Sequence, residues 1–189
     1  MQLSKNILRK EFFSKIKDAS LKRSLDAPNK LLDNIMPLLK HTNKIAIYHA
    51  YGSEISLSNI IDYCLKEQKE LYQPVSYKEH KKMLLMSYDP NQKNIFVESD
   101  YTPPNSIGWY NVDLVILPLL AVDKLGYRLG KGGGYYDTTL NDIKDSHMKI
   151  PKLCGVGYAC QIYSGNLPRD DFDVPLDYFV SEDGLINFR

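Results

Sequence analysis

The residues of this chain best suited to chemistry lie in one short run, Arg128-Leu129-Gly130-Lys131-Gly132-Gly133-Gly134-Tyr135-Tyr136-Asp137. Four of the eleven glycines fall there within five residues, with a cation on either side of the first. Without a Cβ, glycine adopts φ > 0 freely, and successive glycines can turn their N–H groups inward to form a concave nest for phosphate oxygens. Arg128 and Lys131 would supply the opposing charge. A flexible hairpin tip with two solvated cations is the plainer alternative. Order on both flanks favours the nest. Residues 112–120 form an apolar run with the length and β-branched content of a buried strand. Downstream, Tyr135, Leu140 and Ile143 recur at roughly helical spacing. The glycines are therefore expected between a strand and a helix N-terminus, where anions are stabilised.

Spacing excludes the better-known phosphate loops. A Walker A lysine is followed by Ser or Thr, whereas Lys131 is followed by Gly132, and a dinucleotide fingerprint would need glycine where Tyr135 stands. The Asp-Phe-Gly partner of a kinase loop is missing.

Charge and composition narrow the partners. With 24 cationic and 23 anionic side chains the formal net charge is +1, so no broad field draws nucleic acid or an anionic membrane. An anion must be held by local clustering. At 189 residues the chain fits one domain with a sizeable core. Cys64, Cys154 and Cys160 make an odd count without a C-x-x-C pair, which suits a reducing cytoplasm and small buried thiols. The four histidines lack the i, i+4 spacing of a zinc helix, so a structural metal is not expected. No apolar run approaches the roughly 20 residues that span a bilayer, and the N-terminus lacks the apolar stretch of a signal peptide. Neither heptads nor an apolar edge calls for more than a monomer.

The elements that must position the loop can be read from periodicity. Leu3, Ile7, Leu8, Phe12 and Ile16 recur as one face of an amphipathic helix, with Lys5 and Arg9 on another. Leu31, Leu32, Ile35 and Leu39 mark a second helix that Pro37 should kink or end near Ile35. Residues 44–49 read as the first core strand. Leu57, Ile60, Ile61, Cys64 and Leu65 give the next helix, with Ser56 as its cap. A strand is expected at 70–75, and residues 83–88 and 95–98 suggest a short antiparallel pair across Asp89-Pro90-Asn91. Residues 99–108 read as a loop, and 152–158 and 178–180 as further strands. Strands separated by helices imply crossover connections, hence an α/β fold: a single three-layer domain with a mainly parallel sheet and helices on both faces. Its ligand crevice should lie beyond the carboxyl ends of the strands.

The ten-residue run resembles the signature of the 5-formyltetrahydrofolate cyclo-ligase family, R-L-G-x-G-x-G-Y-Y-D, and matches it completely; Asp123 and Gly126 stand where that family carries an aspartate and a turn glycine. The resemblance implies that residues 129–136 (Leu129, Gly130, Lys131, Gly132, Gly133, Gly134, Tyr135 and Tyr136) bind ATP with Arg128. It also implies ATP contacts from Lys5 and Arg9, whose K-x-x-L-R context the family shares. Four apart on one helix, those two cations repel by a few tenths of a kcal/mol, a cost that a shared anion would remove. Glu54 and His49 fall at substrate-contact positions. An ionised glutamate can accept two N–H groups of a pterin with charge-assisted strength, although a loop carboxylate and a packed strand histidine remain the plainer readings. Asp137 and Asp173 match the family's Mg²⁺ positions, and Mg²⁺ needs no more than one or two carboxylates beside phosphate and water. The plainer readings are a first-turn helix acid and a turn residue. Tyr135 and Tyr136 offer flat faces to nucleotide or pterin; their side chains diverge by about 100°, so one is expected in the core. Many members carry a glutamate-proline pair before the central strand, whereas here residues 100–105 read Asp-Tyr-Thr-Pro-Pro-Asn, so the substrate-side loop is expected to differ.

The function implied is ATP- and Mg²⁺-dependent conversion of 5-formyltetrahydrofolate to 5,10-methenyltetrahydrofolate through phosphorylation of the formyl oxygen. Arg128 and Lys131 would be the catalytic cations, and no protein nucleophile would be needed. A sugar-phosphate isomerase of similar fold, or a nucleotide- or folate-binding module without turnover, could use the same nest.

Overall fold

The computed structural model describes residues 4–23, 26–92, 95–98, 102–103 and 105–189. The chain opens with α1 (Lys5–Arg23) and α2 (Ala27–Leu39), then β1 (Lys44–Ala46), α3 (Ser58–Lys66), β2 (Glu70–Tyr77), β3 (Met83–Ser87) and β4 (Ile95–Val97). There follow β5 (Leu114–Pro118), β6 (Ala121–Asp123), β7 (Arg128–Leu129), α4 (Tyr135–Asp145), β8 (Lys152–Val156), β9 (Ile162–Tyr163), β10 (Tyr178–Ser181) and β11 (Gly184–Asn187). Leu3 of the first amphipathic pattern and most of the divergent stretch (Asp100, Tyr101 and Pro104) lie outside the described residues.

Because successive strand residues face opposite sides, apolar runs without alternation must be buried twice, and they are. Ile45, Leu114, Ile116, Cys154 and Val180 join one core cluster, while their neighbours Ala46, Val115, Leu117, Leu153 and Phe179 join another. The first cluster takes the apolar faces of α1, α2 and α3, and the second takes Leu140 and Ile143 of α4 with Trp109. The expected three layers are therefore present, three helices over one face and one over the other. Burial raises the Cys64 thiol to about 11 and raises that of Cys154 as well, which matches their reading as small hydrophobes.

The main sheet has the order β11-β10-β8-β5-β1-β2-β3, with β4 also on β2. From β10 across to β2 every neighbouring pair is parallel. From β1 the chain crosses through α3 to β2 on one side, and from β5 it crosses through α4 to β8 on the other. The switch point between β1 and β5 opens a crevice at their carboxyl ends.

Three expectations need correction. Pro37 does not end α2, which continues to Leu39. A proline there costs about 3 kcal/mol, but Leu31, Ile35 and Leu39 are all fully buried, and each returns roughly 1.5–3 kcal/mol. Residues 95–97 do not pair with β3; β4 lies parallel to β2 at Val75–Tyr77. β2 outruns the three-residue β1, whose partners stop at Tyr72, so the edge beyond stays open to a strand, with Pro74, which has no N–H to offer, in the gap between the two. Finally, Ser56 is not the α3 cap, which is Leu57, though the Ser56 hydroxyl accepts from Ser58 N at 3.2 Å.

The glycine loop also leaves a different strand from the one expected. Between β5 and the loop the chain folds a hairpin, β6 with β7, which with β9 forms a separate small sheet. Buried Asp123 builds the hairpin turn: its Oδ1 accepts from Leu125 N and Tyr127 N and its Oδ2 from Leu167 N, each at 3.0 Å. Gly126 sits in that turn at φ +81°, where a Cβ would lie 2.9 Å from Leu176 O and 3.0 Å from the Phe188 ring. Left-handed strain and this clash add, so Gly126→Ala is expected to cost about 2 kcal/mol or more and lower Tm by roughly 4–8 °C. Gly52→Ala, also left-handed but with open space around it, should lose less in the same thermal melt. Equal losses would mean the packing at Gly126 is immaterial.

Candidate active site

The loop is built as a nest. Gly132 and Gly134 take φ of +102° and +77°, and Gly134 is the N-cap of α4 without any side-chain cap. The first-turn N–H groups that a helix cannot satisfy internally thus front the loop, with the positive end of the α4 dipole behind them.

Both ends of the nest are tied together. Arg128, just before the loop, donates through one terminal nitrogen to Asp137 Oδ1 and through the other to Val174 O, both at 2.6 Å. Its side chain is only 4% exposed. Arg128, read from the sequence as a counter-charge for phosphate, is here also a staple joining β7, α4 and the 174 segment, because burying a guanidinium requires a paired charge and hydrogen bonds.

Lys131 and the helical cations also have partners. Lys131 Nζ lies 2.5 Å from Glu54 Oε1 and 5.9 Å from the Tyr51 ring centroid, while Glu54 Oε2 accepts from Tyr51 N at 2.8 Å. Arg9 Nε donates to Gly130 O at 3.0 Å, and its guanidinium packs beside Gly132. Lys5 Nζ reaches Asp170 and Asp173 at 2.7 and 3.1 Å. Burial alone would lower its pKa, but the two carboxylates outweigh that and raise it. Lys5 and Arg9 thus each have protein partners of their own.

A cavity of about 260 Å³ brings together His49, Glu54, Arg128, Lys131, the four glycines, Tyr135, Tyr136 and Asp137. It sits at the switch point, walled also by Tyr48 beyond β1 and by Pro118 and Leu119 at the end of β5. A second cavity, about 450 Å³, shares Tyr48, Tyr51, Glu54, Pro118, Leu119 and Lys131, so the Glu54–Lys131 pair stands in the wall between the two. Lys5, Arg9, Leu129 and Asp173 line neither. Leu129 is buried in the core, and its carbonyl accepts from Leu120 N.

Neither tyrosine is fully buried: both pack against the second core cluster and both line the cavity. Both are half-buried and face the cavity, Tyr135 edge-on to Phe96 at 6.3 Å and Tyr136 edge-on to Trp109 at 5.8 Å. Burial, and then the Glu54 charge, raise the pKa values of Tyr136 and Tyr48, so both remain neutral donors.

Cavity residues without a sequence signal include Gln73, Met83, Ile95 and Phe96, brought in by β2, β3 and β4. Gln73 had one faint mark, a polar side chain inside a strand, and it is 1% exposed. Among the described residues no three His, Cys, Asp or Glu side chains gather as a metal site. Of the two acids read from the sequence as Mg²⁺ positions, Asp137 has one oxygen outside the Arg128 bond, while Asp173, next to Val174, whose N lies 3.4 Å from Asp137 Oδ1, has its Oδ2 bonded to Lys5 Nζ and Asp170 N.

A glycine loop at an uncapped helix start, opening on a cavity with Glu54 and Asp137 in its walls at a sheet switch point, defines the ligand crevice of an α/β protein. Comparison with known proteins narrows this. Residues 1–182 match the 5-formyltetrahydrofolate cyclo-ligase family. The cyclo-ligase of Haemophilus influenzae is 35% identical over 72% of this chain and 74% of its own, and that of Escherichia coli K12 is 29% identical over 76% and 79%. The solved 5,10-methenyltetrahydrofolate synthetase of Aquifex aeolicus superposes with a TM-score of 0.76 at 29% identity, covering 99% of this chain and 94% of that one. The chain belongs to the 5-formyltetrahydrofolate cyclo-ligase family.

The staple sets the stability expected of the site. Asp137→Ala leaves a buried guanidinium without its counter-charge and should cost about 3–5 kcal/mol. Lys5→Ala removes two partly exposed ion pairs, to Asp170 and Asp173, each contributing roughly 0–1 kcal/mol, and should cost less. Urea unfolding of the two variants would measure the contrast, and a near-neutral Asp137→Ala would show that the staple does not hold the loop.

Proposed function

We propose that the cavity beside the glycine loop is where this cyclo-ligase turns 5-formyltetrahydrofolate into 5,10-methenyltetrahydrofolate at the expense of ATP. The observation that carries the reading is the meeting of the nest, Lys131 and Glu54 around one space at the switch point. The formyl group on the ring nitrogen is an amide, whose resonance makes it a poor electrophile. Transfer of the γ-phosphoryl to its oxygen releases ADP and turns that oxygen into a leaving group. The neighbouring folate nitrogen then bonds to the same carbon, the C–O bond breaks with loss of phosphate, and the nitrogen's proton can leave with it.

Such a transfer asks for alignment and charge neutralisation rather than a nucleophile. In this reading the N–H groups of the loop and of the first turn of α4 hold the phosphates, and Lys131 turns from Glu54 toward them. Arg128 keeps the nest in shape and adds its charge from below. Arg9, bonded to Gly130 O, and Lys5 bring α1 to the same edge. Glu54, with Lys131 drawn away, accepts pterin N–H groups, and His49 stands beside it. Asp137 and Asp173 would hold Mg²⁺, which when bound shields the phosphate charges during transfer. Membership of the family disfavours the isomerase alternative.

The test follows methenyl product by absorbance with Mg-ATP and 5-formyltetrahydrofolate. Signal only when ATP is present is expected, and turnover without ATP would reject the scheme. Lys131→Ala should lower kcat by 10²-fold or more, on the scale of one lost transition-state donor. Glu54→Gln should raise KM for the folate about tenfold through loss of a charged acceptor. Wild-type constants in both variants would mean that the cavity is not the reaction site.

A further inference from the structure

Gln73 is a buried amide whose orientation can be assigned without reference to any ligand. Its Oε1 lies 3.1 Å from Asp89 N, and a backbone N–H can only donate, so that atom must be the oxygen. Its Nε2 lies 3.1 Å from Gln92 O, and a carbonyl can only accept, so that atom must be the nitrogen. The two bonds agree, and they come from the turn that follows β3. The same oxygen is 2.7 Å from His49 Nε2. An oxygen without a proton can only accept, so His49 Nε2 must donate. In a neutral imidazole that leaves Nδ1 as the acceptor. The ring is also held in plane, stacked on Tyr88 with centroids 5.3 Å apart and planes at 21°. Among the described residues nothing hydrogen-bonds to His49 Nδ1, while both His49 and Gln73 line the cavity beside the glycine loop.

We infer that Gln73 is a positioning residue that sets His49 as a hydrogen-bond acceptor toward the folate, reading an N–H donor of the substrate and disfavouring ligands that present an acceptor at that point. This rests on the reading that the folate occupies this cavity. The physical basis is economy of reorganisation. A histidine free to exchange tautomers would lose part of its binding contribution in choosing one, whereas here the buried amide has made the choice before the ligand arrives. A strand such as β2 would ordinarily place an apolar residue at a fully buried position. The glutamine is tolerated because its oxygen and its nitrogen are both satisfied.

The first measurement uses the ligand-free wild-type enzyme: long-range ¹⁵N–¹H correlation of the His49 ring in alkaline buffer should show the Nε2–H tautomer. An Nδ1–H tautomer would overturn the inference and leave the proposed function standing. The second is kinetic. Gln73→Met, close in size but without an acceptor, should raise KM for 5-formyltetrahydrofolate about tenfold with KM for ATP unchanged. Made in a His49→Ala background, the same substitution should add nothing to the folate KM, because its effect passes through the imidazole. A further rise there would mean that Gln73 acts only by bracing the Asp89 to Gln92 turn, and would overturn the inference. If His49→Ala left the folate KM at its wild-type value while the Nε2–H tautomer was present, the substrate role and the placement of the folate would fall together.

Discussion

The site depends on the buried pair between Arg128 and Asp137. Each lies at one end of the glycine loop, so the 2.6 Å bond between them closes the loop as a rigid link would. Glycine-rich backbone has more conformational entropy to lose than any other, and four glycines in five residues would otherwise sample many shapes. Tying the ends shortens the free segment to a few residues, and the uncapped start of α4 orients what remains. Arg128 also holds Val174 O, which brings the segment carrying Asp173 against the same helix. One guanidinium therefore decides where the loop, the helix dipole and the two candidate metal acids sit relative to one another.

Lys131 is different in kind. Its side chain is about half exposed at 47%, whereas that of Arg128 is 4% exposed. Lys131 is the more solvated member of its pair, Glu54 being only 13% exposed, and a phosphate would have to compete with that carboxylate for it. Because that pair stands in the wall between the two cavities, an anion that drew Lys131 away would free the Glu54 carboxylate at the same moment. The loop thus combines a buried cation that shapes it with a half-exposed cation at its mouth.

The layers, the parallel sheet and the anion nest were legible because each rests on a local rule: apolar runs without alternation, helical periodicity, and clustered glycine with uncapped helix. What was not legible depended on partners far along the chain. That Arg128 would also be a staple required Val174 and Asp137 to arrive from two directions. The partners of Lys5, Asp170 and Asp173, lie more than 160 residues away. The β6–β7 hairpin ahead of the loop is only two to three residues per strand, too short to leave a periodic pattern. Residues 83–98 looked like a hairpin because turn residues stood between two strands, yet the open edge of β2 offered a better partner. Length mismatch between β1 and β2 decided that pairing, and it is a property of the sheet rather than of either segment.

That same mismatch helps open the cavity. β1 stops opposite Tyr72 and β4 begins opposite Val75, so the neighbours of Gln73 and Pro74 on that side are not strand backbone but His49 and the cavity. Pro74 has no N–H to leave unpaired in the gap, and Gln73 satisfies its own amide through the Asp89–Gln92 turn and His49. A sheet interrupted in this way would normally expose unpaired backbone groups, at a cost of 1–3 kcal/mol for each one buried. Here Pro74 faces the interruption without an N–H to leave unpaired, and the Gln73 side chain has both of its own ends bonded, to the Asp89–Gln92 turn and to His49. The cavity can therefore lie at the edge of the core without leaving the Gln73 amide unpaired, with the imidazole, the Glu54 carboxylate and the glycine loop on its walls.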